Sequence, residues 1–385
     1  MRTDGLVRVA IVTEAFLPRV NGVTNSVLNV VRQLTGRGVD HLVIAPNGPE
    51  CVDPDGIKVN RVRSIELPGI HDVDIAIARS TRLVPILRDF DADVVHLASP
   101  FILGSRGVAA ARSLGIASVA VFQTDVAGFA HHYGLSRLSF VADALVRRNH
   151  QFATINLAPS RASQEYLTRL GVQNVRYWGR GVDLERFHPS WRSEALRLRI
   201  GSGRPIIGYV GRLAPEKNVE MLAEIDYKGA AQLLIVGDGP MRSTLQRILP
   251  NAHFTGRLDG SSLVQHLASL DVLVAPGERE TFCQVIQEAM ACHVPVVAPA
   301  IGGPADLVDH GRNGLLYEPG DFASMRHLAM TLALDPQRSQ PMGLAGRESV
   351  SRRDWGALTD ELVGHYQDAI ELAASRAGQR QLAAA

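Results

Sequence analysis

Two hydrophobic rhythms alternate along the chain. Short, nearly continuous apolar runs rich in β-branched residues occur at 7–13, 41–45, 94–98, 118–122 and 153–158, and they predict strands buried on both faces. Between them, 23–34, 82–90 and 138–150 carry apolar residues at helical spacing. The scheme starts again at 206–210, 232–236, 253–255, 272–275 and 294–298, with helical patterns between. Strand–helix alternation of this kind predicts an α/β fold of two doubly wound, Rossmann-like domains with parallel sheets. The turn-rich stretch 177–192, "YWGRGVDLERFHPSWR", lacks periodicity and reads as the connection. The expected division is 1–185, then 186–355, then a helical segment 356–385 that packs back on the N-terminal domain and fades after about residue 374.

Composition removes several classes of function. A net charge of +1 provides no global field for nucleic acid. Local basic clusters at Lys58, Arg61 and Arg63 and at Arg147 and Arg148 read as solvated surface. Three scattered cysteines, Cys51, Cys283 and Cys292, suit neither a disulfide framework nor a zinc site. Cys283 and Cys292 are expected in one helix, packing as small hydrophobes. No signal-like leader and no apolar run of about 18 residues is visible, which points to a cytoplasmic protein. Of the 40 basic residues only Lys58, Lys217 and Lys228 are lysines, so each lysine in a candidate site carries weight.

In open α/β sheets ligands bind beyond the carboxyl ends of the strands, which focuses attention on the strand-to-helix junctions. The first holds Asn21-Gly22, where a residue without Cβ lets a phosphate or sugar reach a helix start. Neither G-x-G-x-x-G nor G-x-x-x-x-G-K-[ST] occurs there or elsewhere, which argues against dinucleotide oxidoreductases and P-loop enzymes. In "GYVGRLAPEKNVE", Arg212 follows a strand and Lys217 is expected at a helix start, two cations suited to a diphosphate. In "IVGDGPM", Gly237 and Gly239 serve either the backbone or a ligand. In "FTGRLDG", Gly256 and Leu258 could frame a flat base, with Asp259 as a possible acceptor for a guanine edge. Asp72/Asp74 and Asp91/Asp93 read as surface.

The stretch "ERETFCQVIQEAMA" sets Glu280 and Glu288 eight residues apart. Were all of it helical, the carboxylates would lie about 12 Å apart along the axis. Glycosidase pairs need about 5 Å or about 6.5–9.5 Å. Two contacts on one long ligand fit better, with its phosphates at the free amides near Thr281, Phe282 and Cys283.

Taken together, Arg212-x4-Lys217, Glu280-x7-Glu288, "NGV" and "RGVDLERFHP" resemble the family-4 retaining glycosyltransferases over nearly the whole chain. The resemblance implies the GT-B architecture, two Rossmann-like domains facing a central cleft. By position it implies that Glu280 bonds the donor sugar, Glu288 the ribose, and Arg212 and Lys217 the diphosphate. Gly22 then lets the N-terminal domain close over the donor. Transfer with retention by a front-face route needs no side-chain nucleophile, metal or other cofactor. "VFQTDVAGFAHHYG" departs from the family's usual "FHTD" by Gln123, which can bond a hydroxyl but cannot change charge. Asp125 and His131 are the acceptor-side candidates. Cys283 stands where glycine is common.

"VFQTDVAGFA…YG" and "GERETFCQVIQEA" resemble an actinobacterial subgroup, GDP-mannose-dependent α-mannosyltransferases acting on glycolipids. The implied partners are a nucleotide-sugar donor and a glycolipid or small-molecule acceptor. A lipid acceptor implies peripheral contact at the inner face of the plasma membrane, through Arg61, Arg63, Arg79, Arg82 and Arg88. The alternatives are a UDP-sugar enzyme of the same family and a non-catalytic nucleotide-sugar-binding protein.

Overall fold

The computed structural model describes residues 7–18, 21–47, 56–66, 74–98, 100–123, 139–225 and 229–384. Asp125 and His131 lie outside the described residues, and so do Cys51 and Lys228.

The chain forms two compact units, Met1–Gly179 with Trp355–Ala385, and Arg180–Asp354. The first contains strands β1 (Val9–Val12), β2 (His41–Pro46), β3 (Val59–Val62), β4 (Ser64–Glu66), β5 (Asp74–Ala76), β6 (Val94–Leu97), β7 (Ala117–Val121), β8 (Ile155–Ala158) and β9 (Val175–Tyr177). Helices α1 (Gly22–Gly36), α2 (Ser80–Phe90), α3 (Ile102–Leu114), α4 (Ser139–His150) and α5 (Arg161–Arg169) alternate with them. Seven strands make a parallel sheet in the order β3-β2-β1-β6-β7-β8-β9, while β4 and β5 pair antiparallel. The buried sheet residues Val9, Ala10, Ile11 and Val12 show no exposed surface, as a strand covered on both faces requires.

The second unit has helix α6 (Glu194–Gly201), strands β10 (Ile206–Val210), β11 (Gln232–Val236), β12 (His253–Gly256), β13 (Val272–Val274), β14 (Val296–Pro299) and β15 (Gly314–Tyr317), and helices α7 (Arg242–Ile248) and α8 (Gly260–Ala268). Helices α9 (Gln284–Ala291), α10 (Gly302–Leu307), α11 (Phe322–Leu334) and α12 (Pro336–Val350) follow β13, β14 and β15. Its sheet is parallel in the order β12-β11-β10-β13-β14-β15. Strand order reverses between β10 and β13, and ligands of doubly wound sheets bind at such a switch point.

Residues 180–185, expected in the first domain, are held to the second unit by specific bonds. Gln284 and Gln287 of α9 donate side-chain amides to the carbonyls of Gly181 (2.9 Å) and Arg180 (2.8 Å). The Val182 amide donates to Arg353 at 2.9 Å. The last helix, α13 (Trp355–Ala384), continues through the tail expected to fade. Trp355, Leu358, Leu362, Tyr366 and Ala369 bury one face of it against the first sheet. The Trp178 indole donates to the Leu358 carbonyl at 2.8 Å, and the Tyr366 hydroxyl lies 2.6 Å from His96 Nδ1. Burial without a charged partner pushes His96 down to about 3, so this contact joins two neutral groups at physiological pH.

Candidate active site

At the switch point, β10 leads into Arg212 and Lys217, and β13 leads into Glu280. Lys217 does not begin an α-helix as expected. It ends a single 3-10 turn, Pro215–Lys217, and Asn218 then takes a left-handed conformation before a second 3-10 segment. The left-handed Asn218 makes the break, because a residue in that conformation cannot continue a right-handed helix. The result aims the Lys217 ammonium at the Glu280 carboxylate, Nζ to Oε1 at 2.5 Å. Burial, the largest single influence, would push Lys217 down, but the Glu280 charge and hydrogen bond, with Cys283 and Glu216, together outweigh it and hold the ammonium above its usual range. Arg212 makes an ion pair with Glu216 one turn on and stays half exposed. Its carbonyl accepts from the buried Tyr209 hydroxyl at 2.8 Å, which anchors the loop to β10.

The glycine turns have a backbone role, the alternative left open by the sequence. Gly237 has φ +143°, and a Cβ there would lie 1.9 Å from the Gly211 carbonyl oxygen. Gly211 donates to Val236 (3.0 Å), Gly237 to Gly256 (2.9 Å) and Leu213 to Asp238 (2.9 Å). Three successive junctions are thus stitched main chain to main chain, and they carry Arg212, Asp238 and Leu258. Leu258 packs half-buried against the core, leaving an apolar wall at the end of β12.

The Glu280 loop is held from β14. Gly303 donates to the Glu280 carbonyl at 2.8 Å, and its missing Cβ leaves room for Phe282, whose Cα would otherwise be 2.4 Å away. Phe282 is buried but precedes the helix, which begins only at Gln284. Cys283 is its N-cap, with φ +70° and no side-chain cap. That left-handed conformation is the physical reason a glycine suits the position. Cys283 and Cys292 therefore flank α9 rather than lie within it, and both are buried. The late helix start also shortens the regular path between Glu280 and Glu288 to Gln284–Glu288.

Glu288 projects from α9 half-buried, and burial raises its carboxyl to about 7 against a weaker lowering by Arg186. From about 4.5 to about 7 the folded chain keeps a proton that the unfolded chain has released, so stability falls as pH rises through that window. Glu288→Gln should remove this dependence and raise the Tm by a few degrees at pH 8, with little change at pH 4.5. Parallel Tm–pH curves for the two proteins would contradict the assignment.

One site residue escaped the sequence reading. Arg180, placed in the connection, has a buried guanidinium lowered to about 10 by desolvation and raised again by the nearby Glu280 charge. It remains cationic near neutrality. The signal was present in "RGVD", but nothing in that stretch tells a connection from a site wall. Among the described residues no cluster of three His, Cys, Asp or Glu side chains could hold a metal ion. Gly22 and Gln123 follow β1 and β7 in the first unit. Gly22 opens α1, whose Asn21 cap accepts from the amides of Val23 (2.9 Å) and Thr24 (3.0 Å), and Gln123 is buried.

Comparison with known proteins bears on the family and the fold. Residues 20–186 match the model of glycosyltransferase family 4, and residues 204–335 match that of the group 1 glycosyl transferases. A GDP-mannose-dependent alpha-mannosyltransferase of Mycolicibacterium smegmatis is 50% identical, with 98% of this chain and 100% of that protein covered. One of the same name from Mycobacterium tuberculosis is 48% identical over 94% of this chain and 96% of its own. Among solved structures, the Anabaena protein HepE in complex with UDP superposes with a TM-score of 0.75 at 20% identity, covering 94% of this chain and 100% of that one, which shows a shared fold. The chain belongs to glycosyltransferase family 4 and has its GT-B fold of two Rossmann-like domains.

Proposed function

We propose that this enzyme transfers mannose from GDP-mannose to an acceptor hydroxyl, with retention at the anomeric carbon. The observation that carries the reading is the Lys217–Glu280 pair at the β10/β13 switch point, beside Arg180 and Arg212. Arg212 and Lys217 each already face a carboxylate, Glu216 and Glu280. Arg180 adds a third cation close enough to feel the Glu280 charge, in a cluster suited to a diphosphate.

In this reading the guanidinium groups and the Lys217 ammonium stabilise the charge that grows on the β-phosphate as the sugar bond breaks. The departing phosphate oxygen takes the acceptor's proton on the same face, so no enzyme nucleophile enters. Glu280 orients the sugar hydroxyls, and the amides at Thr281–Cys283 meet the phosphates. Ionised Glu288 accepts from the ribose hydroxyls, and Leu258 covers the base. Gly22 and Gln123 serve the donor from the N-terminal unit. The acceptor is a glycolipid or a small molecule that presents a hydroxyl, and the catalytic cations need no metal to neutralise the leaving group. The relatives' printed activity supports the choice of mannose and GDP.

Calorimetric titration tests the donor. GDP-mannose should bind at least about tenfold more tightly than UDP-glucose, which corresponds to about 1.4 kcal/mol. Equal affinities, or a β-linked product by NMR, would overturn the reading.

A further inference from the structure

One surface of the N-terminal unit combines exposed apolar side chains with arginines that, among the described residues, face no acid. Helix α4 buries Val146, Asn149 and His150 and exposes Phe140, Val141, Arg147 and Arg148. At about 100° per residue those four exposed positions fall within about 120° of its circumference. Phe140 is 67% exposed and Val141 48%, and Phe152, just beyond the helix, is 41% exposed. The Arg112 guanidinium of α3 lies 4.3 Å from the centre of the Phe152 ring, joining the two helices into one face. Asp143, the acid of α4, accepts from the Tyr166 hydroxyl of α5 at 2.6 Å, and α3 contains no acid. Among the described residues no carboxylate forms an ion pair with Arg112, Arg147 or Arg148.

We propose that this α3–α4 face docks the enzyme onto an anionic lipid bilayer. Exposed rings and Val141 enter the boundary between headgroups and acyl chains, and the arginines lie at the level of the lipid phosphates. A nucleic acid would satisfy the arginines but leave Phe140 and Val141 in water, and the whole-chain charge of +1 provides no supporting field. The arginines expected from the sequence are less well placed for a bilayer. Arg61 donates to the Pro46 carbonyl at 3.1 Å and stacks over Phe16. Arg82 and Arg88 share the exposed side of α2 with Asp89. The proposal stands on surface chemistry and does not depend on which sugar is transferred.

The test is flotation of the full-length protein with phosphatidylcholine vesicles, with and without phosphatidylglycerol, at low and high salt. Binding should require phosphatidylglycerol and weaken with salt. Arg147→Gln/Arg148→Gln should reduce partitioning about 30-fold, and Phe140→Ser/Phe152→Ser by a similar factor. All these positions are exposed, so Tm and transfer to a water-soluble acceptor should stay at wild-type values. Arg82→Gln/Arg88→Gln and Glu280→Gln should float as wild type, the latter even if transfer is lost. Absence of binding to anionic vesicles, wild-type flotation of both α4 variants, or equal loss in the α2 variant would overturn the proposal. So would binding of duplex DNA without binding of vesicles.

Discussion

Glu280→Gln should lower kcat by about 10²–10³-fold, the usual effect of losing one preorganised transition-state contact. The amide keeps the shape of the side chain but carries no charge, so it neither holds Lys217 in ionic register nor accepts strongly from the sugar. Glu280→Ala should show the same loss together with a lower Tm. Without Glu280, the burial that lowers Lys217 loses its main opponent and only the weaker influence of Glu216 and Cys283 remains, leaving a half-buried cation without its ion-pair partner. The pair is partly open to solvent, so the added cost is about 2 kcal/mol, below that of a fully buried pair. Steady-state kinetics and thermal melts on both variants separate the two effects. A kcat within threefold of wild type for Glu280→Gln would remove Glu280 from the chemistry.

The second large effect concerns a residue that touches no ligand in the proposed site. Gly237→Ala should lower the Tm by about 10 °C, equivalent to about 3 kcal/mol or more in a unit of this size. Its Cβ would have to share space with the Gly211 carbonyl oxygen at 1.9 Å, and its φ of +143° is one that L side chains avoid. The collision is with backbone, so no rotamer change relieves it. Relief requires β10 or β11 to move, and both ends carry bonds that fix the Arg212 loop. The variant should therefore also bind the nucleotide sugar less tightly at temperatures where it remains folded. A melting curve that matches the wild type would show that the junction yields at little cost.

Much of the architecture was readable in advance because parallel strands covered on both faces must be continuously apolar. The runs at 206–210 and 232–236 coincide with β10 and β11. Strands β3, β4, β5, β9 and β15 were not anticipated. They are three or four residues long, and the three with a fully described burial pattern, β3, β9 and β15, contain half-buried positions, so their sequence lacks that signature. The long tail helix was underestimated because its last turns carry mostly alanine and polar residues, which give helix propensity without periodicity.

The catalytic candidates divide in the same way. Arg212, Lys217, Glu280 and Glu288 were legible as residue types at fixed spacing next to strand ends, and that spacing survives folding because each lies on a local turn or helix. Arg180 was not legible, since its relation to Glu280 spans a hundred residues of sequence and exists only after α9 has docked on the carbonyls of Arg180 and Gly181. Nor could spacing show that α9 begins after Cys283. That depends on a left-handed residue held in place by the close approach of Gly303 to Phe282.

By itself, then, the sequence determined the strand–helix order, the parallel sheets and the set of charged side chains at the strand ends, because hydrophobic period and local turn chemistry act over a few residues. Only the tertiary structure decided which charges meet, where the helix behind Glu280 starts, and which arginines stay on the surface. Those outcomes depend on strand order at the β10/β13 switch and on backbone-to-backbone approaches below 3 Å, and neither is encoded within any single stretch of chain.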